Sequence, residues 1–308
     1  MSWQSSRLRT ADGTDLQTYA HTPKGKIKGV VQVNHGMAEH AARYERLADA
    51  LAQAGYATFA HDHRGHGHTT APGAGLGVFA QNQGWDAVIG DVHGVNSHLA
   101  STHPDVPIIC FGHSMGSIIG FNYALRHPQT IAAAALWNSG VETGALALIF
   151  SAILKIQRMF LGSDVPSGLA TKATFDTWNK QFAPNRTGFD WLSRDPAEVD
   201  KYVADPLCGF PVSIGLWLDV LSGIYFAADD RNLAALPADL PVHLLAGTQD
   251  PCSDHGKAVA HIADRMKRRG MGDVTLHLLD NTRHESLNEI NRDETTAMLI
   301  HWLDERFA

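Results

Sequence analysis

The pentapeptide Gly112-His113-Ser114-Met115-Gly116 decides the fold prediction because of what stands on either side of it. The apolar run Val106-Pro107-Ile108-Ile109-Cys110-Phe111 precedes it and has the length of a buried strand. The run from Ser117 to Leu125 follows it and has a helical pattern. A strand, a G-x-S-x-G turn and a helix form a sharp bend that exposes the serine hydroxyl at a helix N-terminus. Ser114 is therefore a candidate nucleophile.

A glycine-rich turn ahead of a helix is the simpler interpretation of the same five residues. The switch from a strand pattern to a helical pattern across Ser114 favours the exposed nucleophile instead. Gly112 and Gly116 fit such a bend because side chains two residues on either side of the serine would collide. A serine nucleophile further requires a base, an acid that orients the base, and two N–H donors for an oxyanion.

Composition is that of a globular protein. The 308 residues, of which 44% are hydrophobic and 19% charged, suffice for one large α/β domain or two smaller ones. The formal net charge is -7 and the basic patch Arg265–Arg269 is short, so we expect no nucleic-acid partner. No apolar run reaches the length of about 18 residues that would predict a membrane span.

The cysteines and the first residues favour a reducing compartment. Cys110, Cys208 and Cys252 are dispersed, without the spacing of a disulfide framework or a zinc knuckle. Residues 1–7 do not combine a basic segment with a following apolar one, as a signal peptide would. We therefore expect a cytoplasmic protein.

Strand and helix patterns alternate in both terminal parts of the chain. Strand patterns occupy residues 29–33, 56–60, 106–111, 131–137, 241–247 and 274–279, and helical patterns 41–54, 85–101 and 289–307. This alternation predicts βαβ units and a mainly parallel sheet, which is an α/β fold. Active sites lie beyond the carboxyl ends of such strands, where His35, Asp62, Ser114 and Asp250 fall.

The alternation breaks between residues 141 and 236, where helical patterns occupy 145–161, 171–182 and 212–225. We predict a helical cap over 141–236, inserted in a core of residues 1–140 and 237–308. The apolar helix 145–161 has two interpretations: contact with lipid, or packing against the core, the pocket or a second subunit. The cap aromatics that are candidates for a pocket wall are Trp178, Trp191, Phe210, Trp217, Tyr225 and Phe226.

His284 is the candidate base among 18 histidines because of its position. It follows the strand pattern that ends at Leu279 and stands just before the last helix, which suits the chain order nucleophile, acid, base. Imidazole fits the role because it titrates near neutral pH.

Asp250 is the preferred acid because it follows the strand pattern 242–246 directly. Asp254, four residues further on, fits the first turn of a helix better. Glu285 is the other alternative, but it is adjacent to the base in the chain, and adjacent side chains seldom orient one another.

Two backbone amides are candidates for the oxyanion hole. The Met115 N–H directly follows the nucleophile, and the Met37 N–H lies in the loop after the third strand. His35 and Glu39 flank Met37 and are expected to brace this loop through hydrogen bonds, with a purely structural role for both as the alternative.

Three motifs make nearly the whole chain similar to the monoacylglycerol lipase and lysophospholipase branch of the α/β-hydrolase superfamily. They are His35-Gly36-Met37-Ala38-Glu39-His40, Asp62-His63-Arg64-Gly65-His66-Gly67 and the pentapeptide around Ser114. The resemblance implies an α/β-hydrolase fold, with a mainly parallel eight-stranded sheet and an inserted helical cap.

The resemblance also implies hydrolysis of a carboxylic ester without a cofactor. The catalytic residues would be Ser114, Asp250 and His284, with the Met37 and Met115 amides as the oxyanion hole. The elbow and the loop would be supported by Gly112, His113, Gly116, His35 and Gly36. Because caps vary most within this superfamily, the fold and the chemistry transfer further than the substrate does.

The stretch from His61 to His68 also has the H-x-H-x-x-H spacing of a zinc site after a strand, as in metallo-β-lactamase-like hydrolases. The signature of that family has an aspartate at the fifth position, where this chain has Gly65. We therefore predict no metal site, and a structural role in which Asp62 and Arg64 tie loops together.

The sequence leads to a serine hydrolase that cleaves a monoacylglycerol, a lysophospholipid or another small acyl ester through an acyl-enzyme on Ser114. The first alternative is cleavage of an amide, peptide or C–C bond on the same scaffold. The second is a catalytically silent binding protein, against which the complete set of Ser, Asp, His and glycine residues argues. A transient contact between the cap and a membrane surface follows from the lipid interpretation, and the oligomeric state is left open.

Overall fold

The computed structural model describes residues 3–308, so the predicted core segment 1–140 begins two residues before this range. Eight strands form one sheet in the order β1-β2-β4-β3-β5-β6-β7-β8. The strands are β1 (Gln4–Arg9), β2 (Asp15–His21), β3 (Gly29–Asn34), β4 (Tyr56–His61), β5 (Ile108–His113), β6 (Ala133–Trp137), β7 (Val242–Gly247) and β8 (Val274–Leu279). The pairs β1–β2 and β2–β4 are antiparallel and the others are parallel. The predicted mainly parallel, eight-stranded sheet is thus confirmed.

Helices cover both faces of this sheet, so the residues of its central strands are buried along the whole length of each strand. The helices are α1 (Glu45–Gln53), α2 (Gly84–Thr102), α3 (Met115–Arg126), α4 (Ala145–Leu161), α5 (Gly168–Thr171), α6 (Thr177–Lys180), α7 (Pro196–Ala204), α8 (Ile214–Ala228), α9 (Asp230–Leu233), α10 (Lys257–Arg268) and α11 (Arg292–Phe307). Strand β6 shows the division: Ala134 and Leu136 pack with α2, α3 and α10, whereas Ala133, Ala135 and Trp137 pack with α1 and α11.

Two predicted helices differ from the structure. The predicted helix 41–54 begins as a 3-10 turn, Ala41–Tyr44, and becomes α-helical only at Glu45. The predicted helix 171–182 is divided into α5, a π-helical turn at Lys172–Asp176, and α6. Helix α7 has no counterpart in the prediction, although Asp195 caps its N-terminus and Pro196 occupies its first turn.

Helices α4 to α9 follow one another between β6 and β7, and α8 anchors this segment on the core. Its Gly223 lies against the ring of Trp85 on α2, where an added Cβ would come within 2.1 Å of the indole. Asn122 on α3 donates to the Gly223 carbonyl at 3.0 Å and accepts from the Trp85 indole N–H at 3.0 Å. Within the described residues, no helix combines the length and the apolar character needed to cross a bilayer.

Candidate active site

Ser114 stands at the bend between β5 and α3 with a backbone φ of 56° and ψ of -124°. A positive φ is strained for a residue that carries a Cβ, so the surrounding structure must enforce it. The two flanking glycines allow the close approach that does so. A Cβ on Gly112 would lie 2.2 Å from the Gly116 carbonyl oxygen, and one on Gly116 would lie 2.0 Å from the Asn34 carbonyl oxygen.

The structure brings Ser114, His284 and Asp250 together, although 170 residues separate Ser114 from His284 along the chain. The Ser114 Oγ lies 2.9 Å from the His284 Nε2, and the His284 Nδ1 lies 2.9 Å from the Asp250 Oδ1. Burial acts to raise the pKa of Asp250, but the charge and the hydrogen bond of His284 outweigh it, so this pKa is lowered. Asp250 is therefore a carboxylate that keeps a proton on the His284 Nδ1 and leaves Nε2 to accept one from the serine.

Asp250 is itself held by residues that the sequence analysis did not identify. Its Oδ1 accepts the Cys252 backbone N–H at 2.9 Å, and its Oδ2 lies 3.3 Å from the Asn138 side-chain nitrogen. Ser286, two residues after His284, donates to the Asn138 Oδ1 at 2.8 Å. Asn138 directly follows β6 at the edge where the other site residues lie, and that position was a usable signal in the sequence.

The structure separates the two alternative acids from the His284 ring nitrogens. Asp254 is exposed with a φ of 48°, and α10 begins only at Lys257, so the prediction that Asp254 lies in the first turn of a helix is wrong. A turn with positive φ at His255 and Gly256 intervenes and delays the helix. Glu285 points to the Arg43 guanidinium, which donates to its two oxygens at 2.7 and 2.8 Å.

The loop after β3 lies against Ser114. A Cβ on Gly36 would lie 3.3 Å from the Ser114 Cβ and 2.8 Å from the Glu39 Oε1, so the backbone approaches Ser114 closely here. The Gly36 N–H is already used, since it donates to Glu39 at 2.6 Å. Among the described residues, the amides of Met37 and Met115 donate to no protein acceptor. Both candidate donors are therefore available to a ligand oxygen.

His35 braces this loop as a neutral ring. Its Nε2 accepts the His63 backbone N–H at 2.9 Å, so the Nδ1 carries the proton that it donates to the Gly36 carbonyl at 2.7 Å. Burial holds the pKa of His35 well below its ordinary value. These two hydrogen bonds agree with the expectation that His35 braces the loop.

A buried ionic cluster lies behind the same loop. Burial opposes ionisation of Glu39, but the Arg43 guanidinium outweighs it, so the pKa of Glu39 is held well below its usual range. His113 donates from Nε2 to the His284 carbonyl at 3.0 Å, and its Nδ1 is 3.6 Å from Glu39. Burial would lower the pKa of His113, yet the Glu39 carboxylate raises it. His113 therefore connects the bend at Ser114, the loop after β3 and the loop that carries His284.

The segment His61–His68 has structural contacts. Asp62 accepts the backbone N–H groups of Ala41 and His68, each at 2.8 Å, and Arg64 forms a two-bond ion pair with Asp91. The predicted roles of Asp62 and Arg64 as loop ties agree with these contacts.

One group of three potential metal-ligating side chains occurs within residues 3–308, and it lies outside the histidine motif. It consists of His40, Asp205 and Cys208, whose ligand atoms lie within 4.8 Å of one another. The His40 Nε2 is already 2.8 Å from Asp205, and burial raises the pKa of the Cys208 thiol, which keeps it protonated. These contacts describe a hydrogen bond between His40, in the loop after β3, and Asp205, directly after α7, better than a metal site.

A pocket opens beside Ser114. It is lined by Gly36, Met37, Glu39, His113, Ser114, Phe175, Phe189, Trp191, Leu192, Tyr202, His284 and Glu285. Of the six cap aromatics proposed from the sequence, Trp191 alone belongs to this lining. Trp217 instead packs beneath α4 against Phe150, at 6.1 Å between ring centroids, because α8 faces the core.

Fold and site together define a serine hydrolase of the α/β-hydrolase superfamily. A family profile described as serine aminopeptidase, S33, matches residues 25–291, and the chain belongs to this family.

Curated relatives and solved structures are consistent with this assignment. Mouse monoglyceride lipase is 28% identical over 98% of this chain and 90% of its own length. An abhydrolase domain-containing protein of Dictyostelium discoideum is 26% identical over 99% of this chain, which spans only 29% of that relative. The crystal structure of a thermostable carboxyl esterase from Bacillus coagulans, in complex with glycerol, matches with a TM-score of 0.91 and 25% identity over the full length of both chains.

Proposed function

We propose that this protein hydrolyses carboxylic esters, with Ser114 as nucleophile, His284 as general base and Asp250 as the acid that orients it. The observation that carries the proposal is the unbroken hydrogen-bonded series from the Ser114 Oγ through the His284 ring to Asp250, with 2.9 Å at each contact. Such a series lets the imidazole take the serine proton as the oxygen attacks a carbonyl carbon.

The tetrahedral intermediate places a negative charge on the former carbonyl oxygen. The Met37 and Met115 amides, which have no protein acceptor among the described residues, are our proposed donors to that oxygen. Fixed donors of this kind lower the barrier because they need no reorganisation when the charge develops.

Collapse of the intermediate completes the first half of the reaction. The ester C–O bond breaks, His284 gives its proton to the departing alcohol, and the acyl group stays on the Ser114 Oγ. Water then enters, loses a proton to His284 and attacks the acyl carbon, which releases the acid and restores the serine. No step of this sequence requires a cofactor.

We propose an ester with a single acyl chain, such as a monoacylglycerol or a lysophospholipid, as the substrate. The aromatic walls suit an apolar acyl group, and the names of the mouse lipase and the Bacillus esterase point to the same chemistry.

We also propose that residues 141–236 act as a cap on the core segments 1–140 and 237–308, and that α4 makes transient contact with a lipid surface. Leu146 and Phe160 on this helix are 82% and 75% exposed. Five more of its large apolar side chains are exposed, namely Leu148, Ile149, Ile156, Met159 and Leu161. Flotation with phosphatidylcholine vesicles tests this contact, and a double substitution of Leu146 and Phe160 by serine should abolish it. A helix used to dimerise would instead give a dimer in sedimentation.

A cytoplasmic location remains a prediction from the dispersed cysteines.

Labelling with a fluorophosphonate tests the nucleophile. We expect one adduct on the wild type and none on Ser114→Ala, while Ser101→Ala, which alters an exposed serine of α2, should label like the wild type. A wild type that resists labelling would favour the ligand-binding alternative.

A substrate panel then tests the bond that is cleaved. Monoacylglycerols and p-nitrophenyl esters graded by acyl length should be turned over faster than aminoacyl anilides. A preference for the anilides would contradict ester hydrolysis and indicate an aminopeptidase instead.

A further inference from the structure

The cap segment Asp190–Arg194 is attached to both sides of the loop that carries His284. On one side, the Arg283 guanidinium donates to the carbonyl oxygens of Asp190 and Ser193. On the other, the Glu285 N–H donates to the Leu192 carbonyl at 2.7 Å. This part of the cap therefore holds a fixed position relative to the base.

Trp191 occupies the centre of that segment and contacts the base itself. The ring centroids of Trp191 and His284 are 4.7 Å apart with the planes inclined by 35°, and only 4% of Trp191 is exposed. The indole also packs against Phe175, at 5.7 Å with nearly parallel planes, and against Trp178, at 5.0 Å. The Trp191 backbone N–H donates to the Asn179 side chain at 3.0 Å. Because these contacts fix the indole, its position against the imidazole of His284 is well defined.

The charge on His284 changes during the proposed reaction. The ring is neutral before attack and becomes an imidazolium when it takes the Ser114 proton. The face of an indole attracts a cation within about 6 Å of the ring centroid, and tryptophan does so most strongly among the aromatic side chains. Its attraction to a neutral ring is weaker. A contact that strengthens as charge develops lowers the barrier rather than only tightening the resting structure.

We propose that Trp191 is a positioning residue of the cap that fixes the His284 ring and stabilises its protonated form in the transition state. This inference rests on the proposed function, because it needs His284 to act as the base. It assigns the cap a part in the chemical step in addition to its place beside the pocket.

Fluorinated tryptophans test the charge effect without a change of shape. Fluorine on the indole withdraws electron density from its face and weakens cation attraction, while the ring keeps its size. Introduction of mono-, di- and trifluorotryptophan at position 191 should lower kcat for a p-nitrophenyl ester stepwise, with KM nearly unchanged. The same analogues at position 302 provide the matched control, because Trp302 is equally buried but packs against His243 and not against His284. We expect no trend there.

Conventional variants extend the test. Trp191→Leu should lower kcat by roughly 3- to 30-fold, and Trp191→Phe should retain part of the activity because phenyl keeps a weaker face. Equal activity across the fluorinated series at 191 would overturn the charge effect, and equal activity of the Phe and Leu variants would contradict it independently. These outcomes are distinct from failure of the proposed function, in which the wild type itself would neither label with fluorophosphonate nor turn over esters.

Discussion

Acidification should destabilise this protein through histidines that are buried without charge. His61, the last residue of β4, is fully buried, and neither of its ring nitrogens has a partner among the described residues. Burial lowers its pKa from 6.5 to about 4. Replacement by leucine, His61→Leu, removes this titration while keeping an apolar side chain at the site.

The magnitude follows from the two pKa values. Below about pH 6.5 the unfolded chain binds a proton at position 61 that the folded chain refuses until about pH 4, so stability falls as the pH falls through this window. Between about pH 7.5 and about pH 5, the His61 contribution to the free energy of unfolding should fall by about 2 kcal/mol. His66, whose pKa burial also lowers to about 4, should add a loss of similar size.

Urea unfolding followed by tryptophan fluorescence measures the effect at the two pH values. His61→Leu should lose about 2 kcal/mol less than the wild type on acidification, whatever its stability at the higher pH. His261→Leu, which alters an exposed histidine of α10, should follow the wild type. If His61→Leu and the wild type lost equal stability, the reasoning about a buried neutral ring would be refuted.

Two further predictions concern the site. Asp250→Asn should lower kcat by roughly 10⁴-fold, because the amide no longer keeps the proton on the His284 Nδ1. The near-ultraviolet circular dichroism spectrum should stay unchanged. A loss of kcat below tenfold would contradict the proposed role of Asp250. Gly116→Ala should lower the free energy of unfolding by about 3 kcal/mol, since its Cβ would meet the Asn34 carbonyl at 2.0 Å. Gly272→Ala, which meets nothing within 4 Å, is the control, and equal stability of the two variants would contradict this account.

The sequence predicted the structure well where residues close together in the chain determine it. The pentapeptide around Ser114 specifies its own bend, because strand, glycines and helix are contiguous in the chain. Helix α4 matches its predicted bounds of residues 145–161, since its helical pattern is long and uninterrupted. Helix α7 was missed because its buried residues are only Glu198, Val199 and Tyr202, one of which is charged, so that it has almost no apolar pattern.

The proposed base and acid show what the sequence could indicate and what it could not. Their chain order and their positions after strands singled out His284 and Asp250, but the sequence alone left Asp254 and Glu285 as rivals. The choice required the tertiary structure, because hydrogen-bond distance depends on how β7 and β8 align. The contacts of Asn138 with Asp250 and of Trp191 with His284 join segments more than 90 residues apart. Sequence periodicity reports which face of an element is buried, not which distant side chain meets it there, so these contacts were decided by packing alone.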